Sequence, residues 1–315
     1  MKAALNMGRS GVRVGTRLLR LAGELIGAAM QTLLAPRRGE GSGRQHPALW
    51  LHHLCRRLLP VFGVELNVTG PVPARGLLVA NHLSYLDIIA LASRTPCVFV
   101  AKSEVKSWPV FGWFARRAGT IFINRRSRRD AVRATDEIRA ALDEGVLVVL
   151  FPEGTSSDGA TVRAFKSSLL EAAILETPST KLQTPEKLHA PSSKAVTPIS
   201  AAALRYELSD GDAARDACYW GDHTLIPHLL KLLSKRGVKA SLAFSEVGNT
   251  WPDRKRLAAQ LHAEVSALHA GLHADADATT CRKPEEFPQR FGAEKDWGMK
   301  IFVRPKSLGS KPLPS

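Results

Sequence analysis

Val79-Ala80-Asn81-His82-Leu83-Ser84-Tyr85-Leu86-Asp87 joins two kinds of structure. The apolar run from Leu77 to Ala80 reads as a buried strand, and Ser84-Tyr85-Leu86-Asp87 has the spacing of a helix capping box. A strand therefore runs into a helix here, with His82 at the junction and Asp87 five residues downstream. A histidine beside the positive end of a helix is a place to keep a proton acceptor.

The same rhythm recurs on either side. Strand-like runs fall at 64–69, 77–80, 97–101, 119–124, 146–151 and 195–203. Helical patterns occupy roughly 84–93, 108–117, 128–143 and 166–176, and Gly145 stands where a helix C-cap is wanted. Such alternation predicts an α/β fold with a largely parallel central sheet flanked by helices. In sheets of this kind functional residues gather at the carboxyl ends of the strands. Arg125-Arg126-Ser127-Arg128-Arg129 follows the run at 119–124, and Phe151-Pro152-Glu153-Gly154-Thr155-Ser156 ends the run at 146–151. Val196-Thr197-Pro198-Ile199 sets a proline where a continuous ladder would not want one. Singly, each has an ordinary reading: a solvated helix start, a turn, an edge-strand residue. Their shared relation to successive strands gives them weight together.

A chain of 315 residues with 44% hydrophobic content can bury a full core, and its net charge of +15 implies anionic partners. Cys55, Cys97, Cys218 and Cys281 lie far apart, which suits neither a zinc site nor a disulfide framework and favours a reducing compartment. Three regions are expected: basic N-terminal helices over 1–62, a main domain over 63–270 and a poorly structured tail over 271–315. The stretch at about 176–194, rich in Thr, Pro, Ser and Lys, reads as a surface insertion.

The N-terminal region narrows the partner. Glu24 and Glu40 are its only acids against a long series of arginines and Lys2. Leu18, Leu21, Ala22, Leu25, Ala29 and Leu33 recur at helical spacing, with Arg17, Arg20, Glu24 and Gln31 on the opposite side. Arg20 and Glu24 break the apolar run, which argues against a bilayer span and against a secretory signal. A helix lying in the membrane interface fits better. Trp50, Leu51, Leu54, Leu58 and Leu59, closed by Pro60 and Gly63, give a second amphipathic helix. The expected whole is an α/β domain preceded by a two-helix membrane-interface motif. In Ser107 to Arg117, aromatics beside arginines suit lipid contact and core packing about equally.

Asn81-His82 with Asp87 resembles the NHxxxxD box of the glycerolipid acyltransferases, the 1-acylglycerol-3-phosphate or lysophospholipid acyltransferase family. Gly119 to Arg125, Phe151 to Thr155 and Val196 to Ile199 resemble that family's second, third and fourth blocks, in order, over about 64–250. The resemblance implies acyl transfer from acyl-CoA or acyl carrier protein to a lysolipid hydroxyl, on the cytoplasmic face of the inner membrane. The default acceptor is 1-acyl-sn-glycerol-3-phosphate, giving phosphatidic acid; a lyso-aminolipid such as lyso-ornithine lipid is the alternative. Neither a metal nor a cofactor beyond the acyl donor is implied.

The residue types support that chemistry. An alcohol must lose its proton as it attacks a thioester, and a neutral histidine near pH 7 can take it. Asp87 would hold the other ring nitrogen and steady the imidazolium. Arg125 would pair with an anionic head group through its planar fork. Glu153, Gly154 and Thr155 resemble the block that positions the acceptor, and Pro198 would shape the site. Asn81 and Ser84 complete the box on the substrate side, with Ser84 also expected to cap the helix. Direct transfer is expected, with no acyl-enzyme on Ser84.

Other classes are weaker. A lipid hydrolase would need an activated serine, and no GxSxG occurs. A nucleic-acid partner is not expected, because the basic residues cluster on an apolar helix rather than among stacking aromatics. A non-catalytic lipid-binding protein would keep the helices and have no use for His82. Tyr219-Trp220-Gly221-Asp222-His223 resembles an extension of bacterial relatives, and Asp222 with His223 lacks the third group of a catalytic set.

Overall fold

The computed structural model describes residues 2–34, 43–124, 126–174, 197–248 and 251–280. Its centre is built from strands that are apolar on both faces. β2 (Gly76–Ala80), β4 (Ile121–Ile123) and β5 (Leu147–Leu150) are buried throughout, as a parallel sheet covered on both sides requires. β3 (Cys97–Lys102) is buried until its last two residues. With β1 (Val64–Thr69), β6 (Ile199–Leu208) and β7 (Val238–Val247) they form a seven-stranded sheet in the order β1-β7-β6-β2-β5-β3-β4. All neighbouring strands pair in parallel except β6 with β7. β1 alternates between half-buried and exposed residues, the signature of an edge.

Two layers of helices cover the sheet. Alternate residues of β2 face opposite cores: Leu78 and Ala80 share one with α2 (Gln45–Phe62) and α3 (Leu86–Arg94), while Leu77 and Val79 share the other with α5 (Arg128–Asp143). α4 (Phe111–Arg117) flanks the β3–β4 side, with Phe114 stacked on Trp50 of α2. α6 (Ala213–Asp216) and α7 (Leu225–Ser234) lie between β6 and β7, and α8 (Arg254–Thr280) lies across both strands.

Several boundaries differ from the sequence reading. β7 lies beyond the last strand expected, at 195–203, which itself runs on to Leu208. α2 passes through Pro60 to Phe62 and stops at Gly63, whose φ of +65° suits a residue without a Cβ. The helix expected at 108–117 begins only at Phe111, after a 3-10 turn at Ser103–Ser107, and 166–176 holds a 3-10 turn at Ser168–Ala173. α8 continues past 270 because Leu272 and Ala276 extend its buried stripe. The insertion at 176–194 and the stretch 281–315 lie outside the described residues.

α1 (Lys2–Leu34) runs back along α2 and turns part of its polar side inward, while Arg20 and Gln31 stay exposed. Glu24 Oε2 meets Arg57 Nε of α2 at 2.7 Å. Arg13 donates to Ser234 O at 2.6 Å, and Arg17 donates to Leu233 O at 3.1 Å and Lys235 O at 2.6 Å. These acceptors are end carbonyls of α7, which a helix leaves without partners of its own. The expectation that Arg17 and Glu24 face solvent opposite an apolar stripe is thereby overturned. The outward stripe keeps Leu18 and Leu33 of the expected one and adds Val12, Leu19, Ile26 and Met30, and Leu19 is 77% exposed. No helix among the described residues is long and apolar enough to cross a membrane.

Candidate active site

β2 ends at Ala80, and the five residues before α3 carry the chain across the carboxyl edge of the sheet. His82 sits in this crossing and Asp87 in the first turn of α3. His82 Nδ1 lies 2.7 Å from Asp87 Oδ2. The same oxygen accepts the N–H groups of Leu83 at 2.7 Å and Ser84 at 3.0 Å, while Oδ1 accepts the Tyr206 hydroxyl at 2.6 Å. Asp87 is completely buried, whereas the His82 side chain is 24% exposed. A carboxylate only accepts, so Nδ1 carries the proton and the outward Nε2 is left with its lone pair.

The main chain around His82 is held from below. Its N–H donates to Glu153 Oε1 at 2.9 Å and its carbonyl accepts from Ser157 N at 2.9 Å. Phe151 stacks on the imidazole with centroids 4.3 Å apart, and Phe99 of β3 stacks behind Phe151. Rotation of the ring is thus blocked on one face and tied at one nitrogen. The turn that brings Glu153 here closes through Gly154 N to Phe151 O at 3.2 Å. Gly154 has φ of +81°, a conformation that favours glycine.

Other expected residues are placed differently. Asn81 is buried, and its amide both donates to Leu204 O at 3.0 Å and accepts from Leu204 N at 2.8 Å. It clips β2 to β6 and has no free end for substrate. Ser84 does not cap α3: its buried hydroxyl has no partner among the described residues, and the Asp87 carboxylate takes its N–H instead. Glu153 is buried with both oxygens committed, Oε2 accepting from Arg163 N at 3.3 Å. Burial pushes its pKa up, against hydrogen bonds from the His82 and Arg163 N–H groups that lower it. It holds loops rather than an acceptor. Thr155 is exposed beside it. Arg125 lies outside the described residues.

Pro198 is the clearest departure. Its carbonyl accepts Leu77 N at 2.9 Å, and the β2–β6 register pairs Leu77 with Ile199. It therefore stands at the amino end of the strands, about 20 Å along β6 from the level of His82. The part of β6 that reaches the site is its far end, through Tyr206. No motif marks Tyr206; only the alternation along β6, which sets it on the same face as Leu204, gives a hint. Burial and Asp87 keep its hydroxyl protonated, with a pKa raised well above the ordinary phenol value.

The 217–228 segment forms a wall beside the His82 loop. Tyr219 N donates to Leu83 O at 2.8 Å, and the Ser156 hydroxyl donates to Tyr219 O. His228 Nε2 lies 3.1 Å from Cys218 O, so it carries the proton and Nδ1 accepts the Tyr85 hydroxyl at 3.1 Å. Burial and His223 lower the His228 pKa, which keeps the ring neutral for that role. His223 stacks on His228, and its buried Nδ1 has no hydrogen-bond partner among the described residues, Asp222 included. No cluster of metal-binding side chains occurs among the described residues.

Comparison with known proteins gives a consistent picture. A family model described as Acyltransferase matches residues 65–183. A lyso-ornithine lipid O-acyltransferase of Rhizobium meliloti is 36% identical over 63% of this chain and 69% of its own length. One from Rhodobacter capsulatus is 32% identical over 82% of this chain and 89% of its own. A 1-acyl-sn-glycerol-3-phosphate acyltransferase of Neisseria meningitidis is 43% identical over 38% of this chain and 49% of its own. The crystal structure of the 1-acyl-sn-glycerophosphate acyltransferase PlsC from Thermotoga maritima superposes with a TM-score of 0.57 at 19% identity. The match covers 87% of this chain and 98% of that one, and it shares the fold.

Proposed function

Because the chain belongs to the lysolipid acyltransferase family, we propose that it transfers an acyl group from a thioester to a lysolipid hydroxyl, with His82 as general base. The observation that carries this reading is the His82 Nδ1–Asp87 Oδ2 contact at 2.7 Å, which leaves Nε2 free at the open side. In the reaction Nε2 takes the hydroxyl proton as the oxygen attacks the thioester carbonyl. The C–S bond then breaks, and the leaving thiolate recovers the proton from the imidazolium. Asp87 steadies that imidazolium without moving. The donor is acyl-CoA or acyl carrier protein.

The acceptor we favour is lyso-ornithine lipid. Likeness to enzymes named for it extends over up to 82% of this chain. In sequence, the Neisseria meningitidis enzyme named for 1-acyl-sn-glycerol-3-phosphate matches over a shorter span, although its 43% identity supports that acceptor as the second reading. The outward apolar stripe of α1, together with exposed Ile226 and Leu230 of α7, supports work at a membrane surface. The inner membrane's cytoplasmic face, where acyl donors are available, is the location we propose.

The test is to offer purified protein a labelled acyl donor with each lysolipid in turn. Labelled diacyl product from lyso-ornithine lipid is expected, and none from the His82→Ala protein. Turnover by that variant near the wild-type rate would sink the mechanism.

A further inference from the structure

We infer that the loop 108–111 is a preformed wedge that enters an anionic phospholipid surface at the rim of the site. This rests on the membrane-surface reading above and adds a second point of contact to α1. Trp108, Val110 and Phe111 are all exposed, Val110 by 55%. The loop is reached through the 3-10 turn that leaves the carboxyl end of β3, and β3 lies two strands, about 10 Å, across the sheet from β2.

Its shape is imposed, not floppy. Phe111 N donates to Pro109 O at 2.6 Å around Val110, whose φ of +62° and ψ of −63° make a γ-turn of the rare, strained kind. Among the described residues Val110 is the only non-glycine with positive φ, and a β-branched side chain is poorly suited to it. The base of the loop is stapled: Trp108 N donates to Val105 O at 3.2 Å and Gly112 N to Trp108 O at 2.9 Å. Gly112 is packed so closely that a Cβ there would lie 2.3 Å from Lys106 O. The strained turn keeps three large apolar side chains together at the surface, where water gives no reason for them to be.

Charge selects the occupant. Lys102, Lys106, Arg116 and Arg126 are exposed around the loop, and Glu104 is the sole acid in 102–117. Arg116 donates to Lys106 O at 2.7 Å, so part of this cationic rim is fixed to the loop's own base. Apolar tips ringed by cations suit acyl chains below anionic head groups, with Trp108 at head-group depth. An acidic carrier protein would use the rim and not need the tips.

The experiment measures partition of the full chain onto vesicles of phosphatidylcholine and phosphatidylglycerol in equal parts. Val110→Asp is expected to weaken partition by about fivefold or more, the loss of one buried apolar side chain. Val110→Gly removes the strain with the side chain, so it should fold at least as well and weaken partition less than Val110→Asp does. Brominated lipid should quench wild-type tryptophan emission more than that of Trp108→Phe. Equal partition of wild type and Val110→Asp would overturn this inference alone. Failure of the wild type to partition would overturn the membrane reading as well. Unchanged vesicle partition of Val110→Asp with weakened binding of acylated carrier protein would assign the loop to that partner and overturn the lipid assignment.

Discussion

Tyr206 donates its hydroxyl to Asp87 Oδ1 at 2.6 Å from the far end of β6, so the buried carboxylate is held by two parts of the chain remote in sequence. Tyr206→Phe removes that donor and keeps the ring. We expect kcat to fall about fivefold, the worth of one hydrogen bond of roughly 1 kcal/mol in positioning the acid. The fold should survive, as judged by an unchanged circular dichroism spectrum.

Asp87→Asn should cost more than Tyr206→Phe. An amide offers His82 Nδ1–H a poorer acceptor and can turn its NH2 towards the ring, which stabilises the wrong tautomer. Together with His82→Ala it is expected to lower the rate by about 100- to 10,000-fold, the range general base catalysis supplies. Vesicle partition of both variants should match wild type.

Glu153→Gln keeps one accepting oxygen where the carboxylate offers two, so either His82 N or Arg163 N loses its partner. A loss of about 1–3 kcal/mol in chemical denaturation is expected. Because burial raises the Glu153 pKa, the folded state favours its protonated form. The stability this gives is full below the ordinary glutamate value and declines as pH rises through the folded one. Glu153→Gln should remove that part of the pH dependence.

Asp216 behaves in the opposite sense. Burial alone would raise its pKa, but hydrogen bonds from Lys231, Lys235 and the Asp212 N–H outweigh it and bring it to about 2. Its contribution is therefore present above 3.8 and lost as pH falls towards 2. Asp216→Asn should destabilise by about 2 kcal/mol at neutral pH, a gap that narrows below the ordinary aspartate range. Urea unfolding of both proteins across pH 7 to pH 3 measures it.

Arg17→Ala strips three charged hydrogen bonds from carbonyls at and just past the end of α7. A loss of about 2 kcal/mol is expected, with α1 becoming accessible to protease before the sheet does.

The parts that could be read from the sequence were local. His82 and Asp87 are joined across five residues by a strand end and a helix start, so spacing alone puts them together. The alternating layers followed from strands apolar on both faces. Pro198 and Tyr206 could not be sorted this way, because which end of β6 meets the site depends on its register with β2. Glu153 announces a charge in a turn, and nothing in the turn says that two backbone N–H groups will use it. The polar side of α1 reads as solvent-facing in the sequence, and only the α7 carbonyls and Arg57 turn part of it inward.

That inward turn of Arg13, Arg17 and Glu24 has a consequence for ionic strength. Charges already bonded to protein cannot also be neutralised by lipid head groups, so among the described α1 side chains Arg20 alone is left to respond to salt, and α1 should adsorb mainly through its apolar stripe. A larger group of exposed cations, Lys102, Lys106, Arg116 and Arg126, sits around the loop after β3. Raising salt should therefore loosen the rim around 108–111 from a bilayer more than it loosens α1, which tilts the His82 edge away from the surface rather than releasing the protein.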